Sequence, residues 1–312
     1  MAQNGPGKFA RPPRRRISEF IIEKLITLIS FTAIFGIILI FIFTFKEAVP
    51  LFYDPEALKE VSLRNLFFSK VWQPVSEVPK YSMLPLLVGT FKTSFIALIF
   101  AAPIGILAAV FTSQFAKGFY RESIKPFIEI LAGFPSVVIG FFALTAMASF
   151  FQNTFGTTYR MNAFVGGVGV SFAVLPVIFT ITEDAINAVP SLMKEGSLAL
   201  GARQYQTIMR VVIPAAFPGI AASILLGFGR AIGETMIVLM ATGNAAIISW
   251  NPFDSTRTLS ATIGAEMAEV VFGGPHYRVL FLIGSILFII TFGLNFFSSV
   301  YVARLSRRLK GK

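Results

Sequence analysis

Residues 190–214 read PSLMKEGSLALGARQYQTIMRVVIP, a polar interval set between two long apolar spans. Within it, Glu195-Gly196-Ser197 is followed by Gly201 and then by Val211-Val212-Ile213-Pro214. Pro190 breaks the preceding span, and Ser191 offers an N-cap. Leu192, Met193, Leu198, Ala199 and Leu200 alternate with Lys194 and Glu195, which predicts a short amphipathic helix lying on a membrane surface. Gly201 ends that helix, because glycine accepts the left-handed conformation of a C-terminal cap. A second helix over 203–212 then leads to Pro214 and the next span. The small residues Gly196, Ser197, Ala199 and Gly201 let another surface approach this turn closely.

Outward from this interval the chain is dominated by uncharged runs. No Asp, Glu, Lys or Arg occurs in Leu25–Phe45, Thr93–Ala116, Ile130–Tyr159, Met161–Thr182, Val211–Gly229 or Val279–Ala303. Crossing a bilayer as a helix takes roughly 20 residues, and each run approaches or exceeds that length. Only 14% of the 312 residues are charged, and 55% are apolar. A soluble domain would carry about a quarter charged residues. The fold class is therefore all-α integral membrane, with six transmembrane helices expected near 20–45, 83–111, 126–151, 161–182, 216–246 and 278–303.

The net charge of +11 sits beside the spans rather than in a nucleic-acid motif. Lys8, Arg11, Arg14, Arg15, Arg16 and Lys24 precede the first span; Arg304, Arg307, Arg308, Lys310 and Lys312 follow the last. Segments on the side of the termini carry roughly twice as many Lys and Arg as those on the other side, so both termini and 190–214 are expected in the cytoplasm. This pattern makes the lipid membrane, and no nucleic acid, the partner of the charge. The chain has no cysteine, so neither disulfides nor thiolate metal sites arise, and no metal site is expected. The first apolar run is too long for a cleaved signal, and no small-residue cleavage site follows it.

Two segments on the other side are long. Residues 46–82 hold Pro50, Asp54, Pro55, Trp72, Pro74 and Pro79; as a connector or as a partner surface, this segment reads equally well. Residues 249–277 hold Trp250, Pro252 and Gly273-Gly274-Pro275, with a short helix predicted from Ser260, as cap, to Val270. The lone His276 lies in this loop, where a solvated or capping role is expected.

The fifth span contains the deepest charges. Arg230 lies about 18 Å beyond Pro218 along a helix, near mid-membrane. Placing an arginine there costs roughly 2.5–3.5 kcal/mol on insertion scales. Glu234 is four residues on, on the same helical face, and can offset the cost by pairing, a neighbouring chain being the other candidate partner. Gly229 and Gly233 leave space beside the pair. Either the pair is a static fastener or Arg230 serves a polar route for an anion, since a guanidinium presents several fixed donors to a tetrahedral oxyanion. Lys92, expected to snorkel outward, is a secondary candidate for the lining or gate, with Thr235 and Asn244.

Nothing in the chain holds a nucleotide. A phosphate loop needs a glycine-rich run ending in Gly-Lys-Ser/Thr, whereas Gly7-Lys8 is followed by Phe9 and Gly311-Lys312 ends the chain. No catalytic constellation is present, and the chain is not expected to be an enzyme.

The 190–214 interval resembles the signature of ABC-importer permeases, with Gly196 and Ser197 where alanines are commoner. The resemblance narrows further on. Glu129-Ile-Leu-Ala-Gly-Phe-Pro135-Ser136 with Gly140, Gly229-Arg230-Ala-Ile-Gly233-Glu234-Thr235-Met236, Ala241-Thr-Gly243-Asn244, and Thr258 to Met267 with Pro275-His276-Tyr277 are similar to the C-type permease of the high-affinity phosphate-specific (Pst) ABC transporters. This likeness covers roughly residues 82–303. It implies an ABC type I importer permease (MetI-like) core and inorganic phosphate as cargo. It further implies an A-type sibling permease, two ATPase subunits that carry ATP and Mg, and an extracytoplasmic phosphate-binding protein. On this reading 1–81 is a basic N-terminus, first helix and outer loop; 82–303 is a five-helix core with a coupling loop at 183–214; 304–312 is a basic tail. Glu195, Gly196, Ser197, Gly201 and Pro214 match the ATPase coupling loop, and Arg230 and Glu234 the family's intramembrane pair. The location implied is the cell inner membrane. A permease for sulfate or molybdate, a stand-alone secondary transporter or channel, and a sensory subunit remain the alternatives.

Overall fold

The computed structural model describes residues 17–309. The basic residues Lys8, Arg11, Arg14, Arg15, Arg16, Lys310 and Lys312 named above lie outside them. Among the described residues, six helices are long and apolar enough to cross a membrane. The first, α1 (Ile17–Ala48), is apolar on every side. Such a helix belongs in lipid or a protein core, and here most of its surface is exposed. Thr27, Ser30, Thr32 and Thr44 each donate a hydroxyl to the carbonyl four residues back, so none presents an unsatisfied group to hydrocarbon.

After α1 the chain reaches the far end of the bundle, opposite the described termini. There α2 (Pro55–Glu60) and α3 (Leu63–Phe68) precede an antiparallel pairing of Gln73 with Lys80. This segment is not a solvated connector. Leu51, Leu66, Trp72, Tyr81 and Met83 are buried with Val279, Leu280 and Ile283 of the last helix. Asp54 pairs with Arg278.

The second crossing, α4 (Leu84–Val110), returns and ends in a π turn at Phe111–Phe115. The amphipathic α5 (Phe119–Gly133) follows. The third crossing starts later than the sequence pattern predicts, at Ser136 rather than near 126, and runs to Phe155 as α6 (Ser136–Phe142), a π turn and α7 (Ala148–Phe155). Pro135 is the cause: it drives Phe134 to ψ 129°, out of the helical region.

The fourth crossing, α8 (Ala163–Asn187), is the axis of the bundle and packs against α4, α5, α6 and two later helices. Asn162 caps it by accepting from the Val165 amide at 3.0 Å. Close packing of α4 on α8 depends on Gly167, where a Cβ would fall 2.5 Å from Ile96 Cγ2. The helices α9 (Ser191–Ala199) and α10 (Gln204–Thr207) then lead, through a π turn at Ile208–Val212, into α11 (Ile213–Ile232).

Pro214 does not interrupt this crossing. It lies just beyond the π turn at Ile208–Val212, whose altered hydrogen bonding accommodates a residue without an amide hydrogen, and the fifth span runs from Gln204 to Ile232 instead of 216–246. The short α12 (Met236–Ala241), α13 (Leu259–Glu266) and the long α14 (Pro275–Leu309) complete the chain. α14 packs on α11 and α1, with Phe288 against Phe41 and Phe281 against Phe43.

Two caps differ from the sequence reading. Pro190, not Ser191, occupies the N-cap position of α9. Thr258, not Ser260, caps α13, accepting from the Ala261 amide at 3.1 Å, and the helix ends at Glu266 rather than Val270.

Candidate translocation site and docking loop

The helical hydrogen bonding of the fifth crossing stops at Ile232, so Arg230 and Glu234 do not share an uninterrupted helix. Gly233 closes α11, and its amide bonds back to the Gly229 carbonyl at 3.3 Å. Glu234 and Thr235 then link α11 to α12. The ion pair nevertheless forms, with Arg230 Nη1 3.2 Å from Glu234 Oε2.

The two partners are unequally placed. The Glu234 side chain is 3% exposed, while that of Arg230 is 48% exposed. The carboxylate is fixed from within: its Oε1 accepts from the Thr235 amide at 3.2 Å. The main-chain carbonyl of Glu234 accepts from Ser260 Oγ at 2.6 Å. The guanidinium is anchored at one nitrogen and open on its other side, in a stretch where an exposed cation is costly unless water or another chain meets it.

A residue absent from the charge pattern lies at the same depth. Asn295 of α14 is exposed and faces Gly229, with its Oδ1 3.5 Å from where a Gly229 Cβ would stand. A neutral amide leaves no trace in a search for charge, but an amide inside an apolar run was a detectable signal.

The secondary candidates do not join Arg230 as a group. Thr235 is at the break, its hydroxyl donating to Gly233 O at 3.3 Å. Asn244 is farther along, in a left-handed turn with φ 52°, accepting from Arg257 Nε at 3.0 Å. Lys92 does not snorkel. It is 5% exposed, and its Nζ donates to the Asn251 carbonyl at 3.3 Å. It thereby fastens the strap 242–258, in which Asp254 accepts from Ser249 Oγ at 2.5 Å and Asn251 Nδ2 at 3.1 Å.

At the other end, 190–214 forms the expected helical hairpin. Glu195 and Gly196 are exposed; a Cβ at Gly196 or Gly201 would touch nothing within 4 Å. Gly201 has φ 84°, the left-handed turn that ends α9. Leu192, Leu198 and Leu200 are also exposed, leaving an unpartnered apolar face.

What holds the hairpin was not legible beforehand. Ser197 and the buried Thr207 share a hydroxyl hydrogen bond at 2.9 Å. Gln204 Nε2 donates to the Gln114 carbonyl at 3.0 Å, tying the hairpin to the end of the second crossing. Beside it, Lys125 lies 3.1 Å from Glu183, whose contact holds the lysine above the usual range. Removing the Thr207 hydroxyl in Thr207→Val should cost about 1 kcal/mol locally. Amide exchange across 191–207 should then quicken by roughly fivefold, with global melting little changed. Unaltered exchange there would show that the pair does not hold the turn.

These features define a membrane component of a transport system, and the relatives agree. Residues 101–311 match the family described as the binding-protein-dependent transport system inner membrane component, and the chain belongs to that family. It is 35% identical to the probable ABC transporter permease protein YqgH of Bacillus subtilis, over 71% of this chain and 72% of that one. It is 35% identical to the phosphate transport system permease protein PstC of Mesorhizobium japonicum, over 72% and 73% of the two chains. Its fold is similar to an inward-facing MetNI methionine ABC transporter (TM-score 0.53, 20% identity, covering 72% of this chain and 94% of that one). It is also similar to a bacterial alginate ABC transporter in complex with its pentasaccharide-bound periplasmic protein (TM-score 0.59, 15% identity, 91% and 96%).

Proposed function

We propose that this chain is the C-type membrane permease of an ATP-driven importer that carries inorganic phosphate into the cell. The observation that carries the reading is the half-exposed Arg230 guanidinium at the break of the fifth crossing, held on one side by a buried carboxylate. Such a donor fork suits a tetrahedral oxyanion, and Glu234 balances its charge when the route is empty. The phosphate-transport relatives support this cargo over sulfate or molybdate.

An A-type sibling permease faces this chain across the route, and two ATPase subunits carry ATP and Mg. The residues Glu195, Gly196, Ser197 and Gly201, with the exposed leucines around them, form the surface that takes up the ATPase motion. The crossing that begins at Gln204 conveys this motion toward Arg230 without a break at Pro214. The excess of Lys and Arg in the sequence on the side of the termini supports a cytoplasmic location for both termini and this hairpin. The far end then meets an extracytoplasmic phosphate-binding protein. Residues 82–303 act as the five-helix core, with 1–81 and 304–312 as flanking parts. The core rocks between inward- and outward-facing states, and its route binds phosphate only weakly so that release stays fast.

The test is phosphate uptake into proteoliposomes that contain all the subunits. Uptake should require both ATP and the binding protein, and excess sulfate should not compete. Uptake without ATP turnover would exclude the importer, and equal competition by sulfate would exclude the cargo.

A further inference from the structure

α13 touches both the break beside Arg230 and a polar cluster at the far end. At its C-terminal end the Glu266 carboxylate, 13% exposed, gathers three partners. Oε1 accepts from Arg257 Nη1 at 2.7 Å and Trp72 Nε1 at 3.1 Å, and Oε2 lies 2.8 Å from His276 Nε2. These partners come from three separate segments: the 49–83 loop, the strap and the first turn of α14. Tyr81 closes the cluster, with its ring centroid 5.6 Å from that of His276, and burial pushes its hydroxyl up to about 12. Burial also pushes the Glu266 carboxyl upward, but the bonds from His276 and Trp72 and the Arg257 charge outweigh it. The net position is below the ordinary value, and the group is an anion at neutral pH.

Nearer its start, α13 rests on the break. Ser260 Oγ donates to the Glu234 carbonyl at 2.6 Å, the residue whose side chain holds Arg230. Gly264 meets Thr235 so closely that a Cβ there would fall 2.8 Å from Thr235 Cγ2. Leu259, Ser260, Ala261 and Thr262 are buried, so the helix has no free face at this end on which to shift. A helix of this length is a rigid piece of about 12 Å, and movement at one end displaces the other.

We propose that Glu266 is a positioning residue for transport. Its three-way clasp fixes α13, and α13 in turn sets the place of the Glu234–Thr235 link and hence of the Arg230 guanidinium. The inference rests on the transport reading above and adds to it a mechanical connection from the far surface to the break. A cavity of about 640 Å³ opens on the clasp, lined by Gln73, Ser76, Arg257, Glu266 and Glu269 among others. The clasp is therefore within reach of a protein seated on that face.

The absence of cysteine in the chain gives a clean test. In the full transporter, Gly233→Cys serves as the parent, at an exposed position where a Cβ meets nothing nearer than 3.7 Å, and its alkylation by a membrane-impermeant maleimide reports the position of the break. Into it go Glu266→Gln, which keeps shape and an acceptor but loses the charge, and Gly264→Ala, which moves the seat on Thr235 and leaves the clasp untouched. Each should lower maximal phosphate uptake per assembled complex by about tenfold, with half-saturating phosphate within about twofold. Each should also change the alkylation rate by about fivefold.

A role in folding alone predicts less assembled complex with unchanged uptake and alkylation per complex, and that result overturns the proposal. If Glu266→Gln does not assemble, Gly264→Ala decides by the same readouts. If the unsubstituted transporter moves no phosphate yet the parent's alkylation responds to both changes, the cargo is wrong and the connection stands. If the parent moves phosphate and neither change alters either readout, the connection is wrong and the cargo stands.

Discussion

Arg230→Gln should reduce phosphate uptake by more than about 100-fold while the permease still assembles. Two effects work in the same direction. The change removes the guanidinium charge at the break, and with it a fork of donors that a neutral amide cannot reproduce. It also strands Glu234, whose side chain is 3% exposed and loses its cation. A carboxylate buried without a counter-charge is strongly disfavoured.

Assembly should survive because the Glu234 main chain remains tied to Ser260, and its Oε1 still meets the Thr235 amide. The double variant Arg230→Gln with Glu234→Gln removes the stranded charge and should still fail to transport. Restored uptake in the double variant would mean that the single change acts through Glu234 alone. Normal uptake by Arg230→Gln would end the case for a role of the guanidinium in the route.

The second large effect is expected at a residue that carries no charge or side chain of its own. Gly89 of α4 lies under the strap, where a Cβ would come within 2.1 Å of the Arg257 carbonyl oxygen and 2.6 Å of Thr256 Oγ1. The nearest atom is backbone, and it is held from several sides. The Leu259 amide bonds Thr90 Oγ1 at 3.0 Å, the Thr256 amide bonds the Thr242 carbonyl at 3.0 Å, and Lys92 holds the Asn251 carbonyl. The strap cannot retreat without giving up these bonds. Gly89→Ala should therefore cost about 3 kcal/mol or more, at the upper end for overpacking. The measurement is thermal unfolding of the solubilised complex, with tryptic cleavage at Arg257 reporting release of the strap. A melting temperature within about 1 °C of the parent would show that the strap yields freely.

The docking hairpin and the ion pair illustrate how far the sequence carries. Gly201 is read correctly as a helix end, because its left-handed turn is a local property of glycine. Arg230 and Glu234 are read correctly as partners because proximity along the chain brings them together. The error there concerns the backbone: an apolar run from 216 to 246 that carries this one charged pair looks like one helix, but the link at Glu234 interrupts it. Ser260 and Gly264 of α13 receive that link, and their nearness to it is a fact of packing. Lys92 is misread for a similar reason. Near a helix end a lysine ordinarily reaches for water, but the strap folds over it and supplies a carbonyl.

His276 shows the same limit. A histidine in a polar loop reads as solvated, and only the return of Trp72 from a distant segment makes it part of a buried cluster. The sequence by itself determines what is local or counted: the membrane class, the number of crossings, the turn at Gly201 and the charged pair. Hydrophobic transfer and backbone preference act residue by residue, so their sum can be read along the chain. Only the tertiary structure decides where α11 breaks, that Thr207 fastens the hairpin and that Glu266 clasps three segments, because hydrogen bonds and close contacts depend on which distant residues the fold brings within reach.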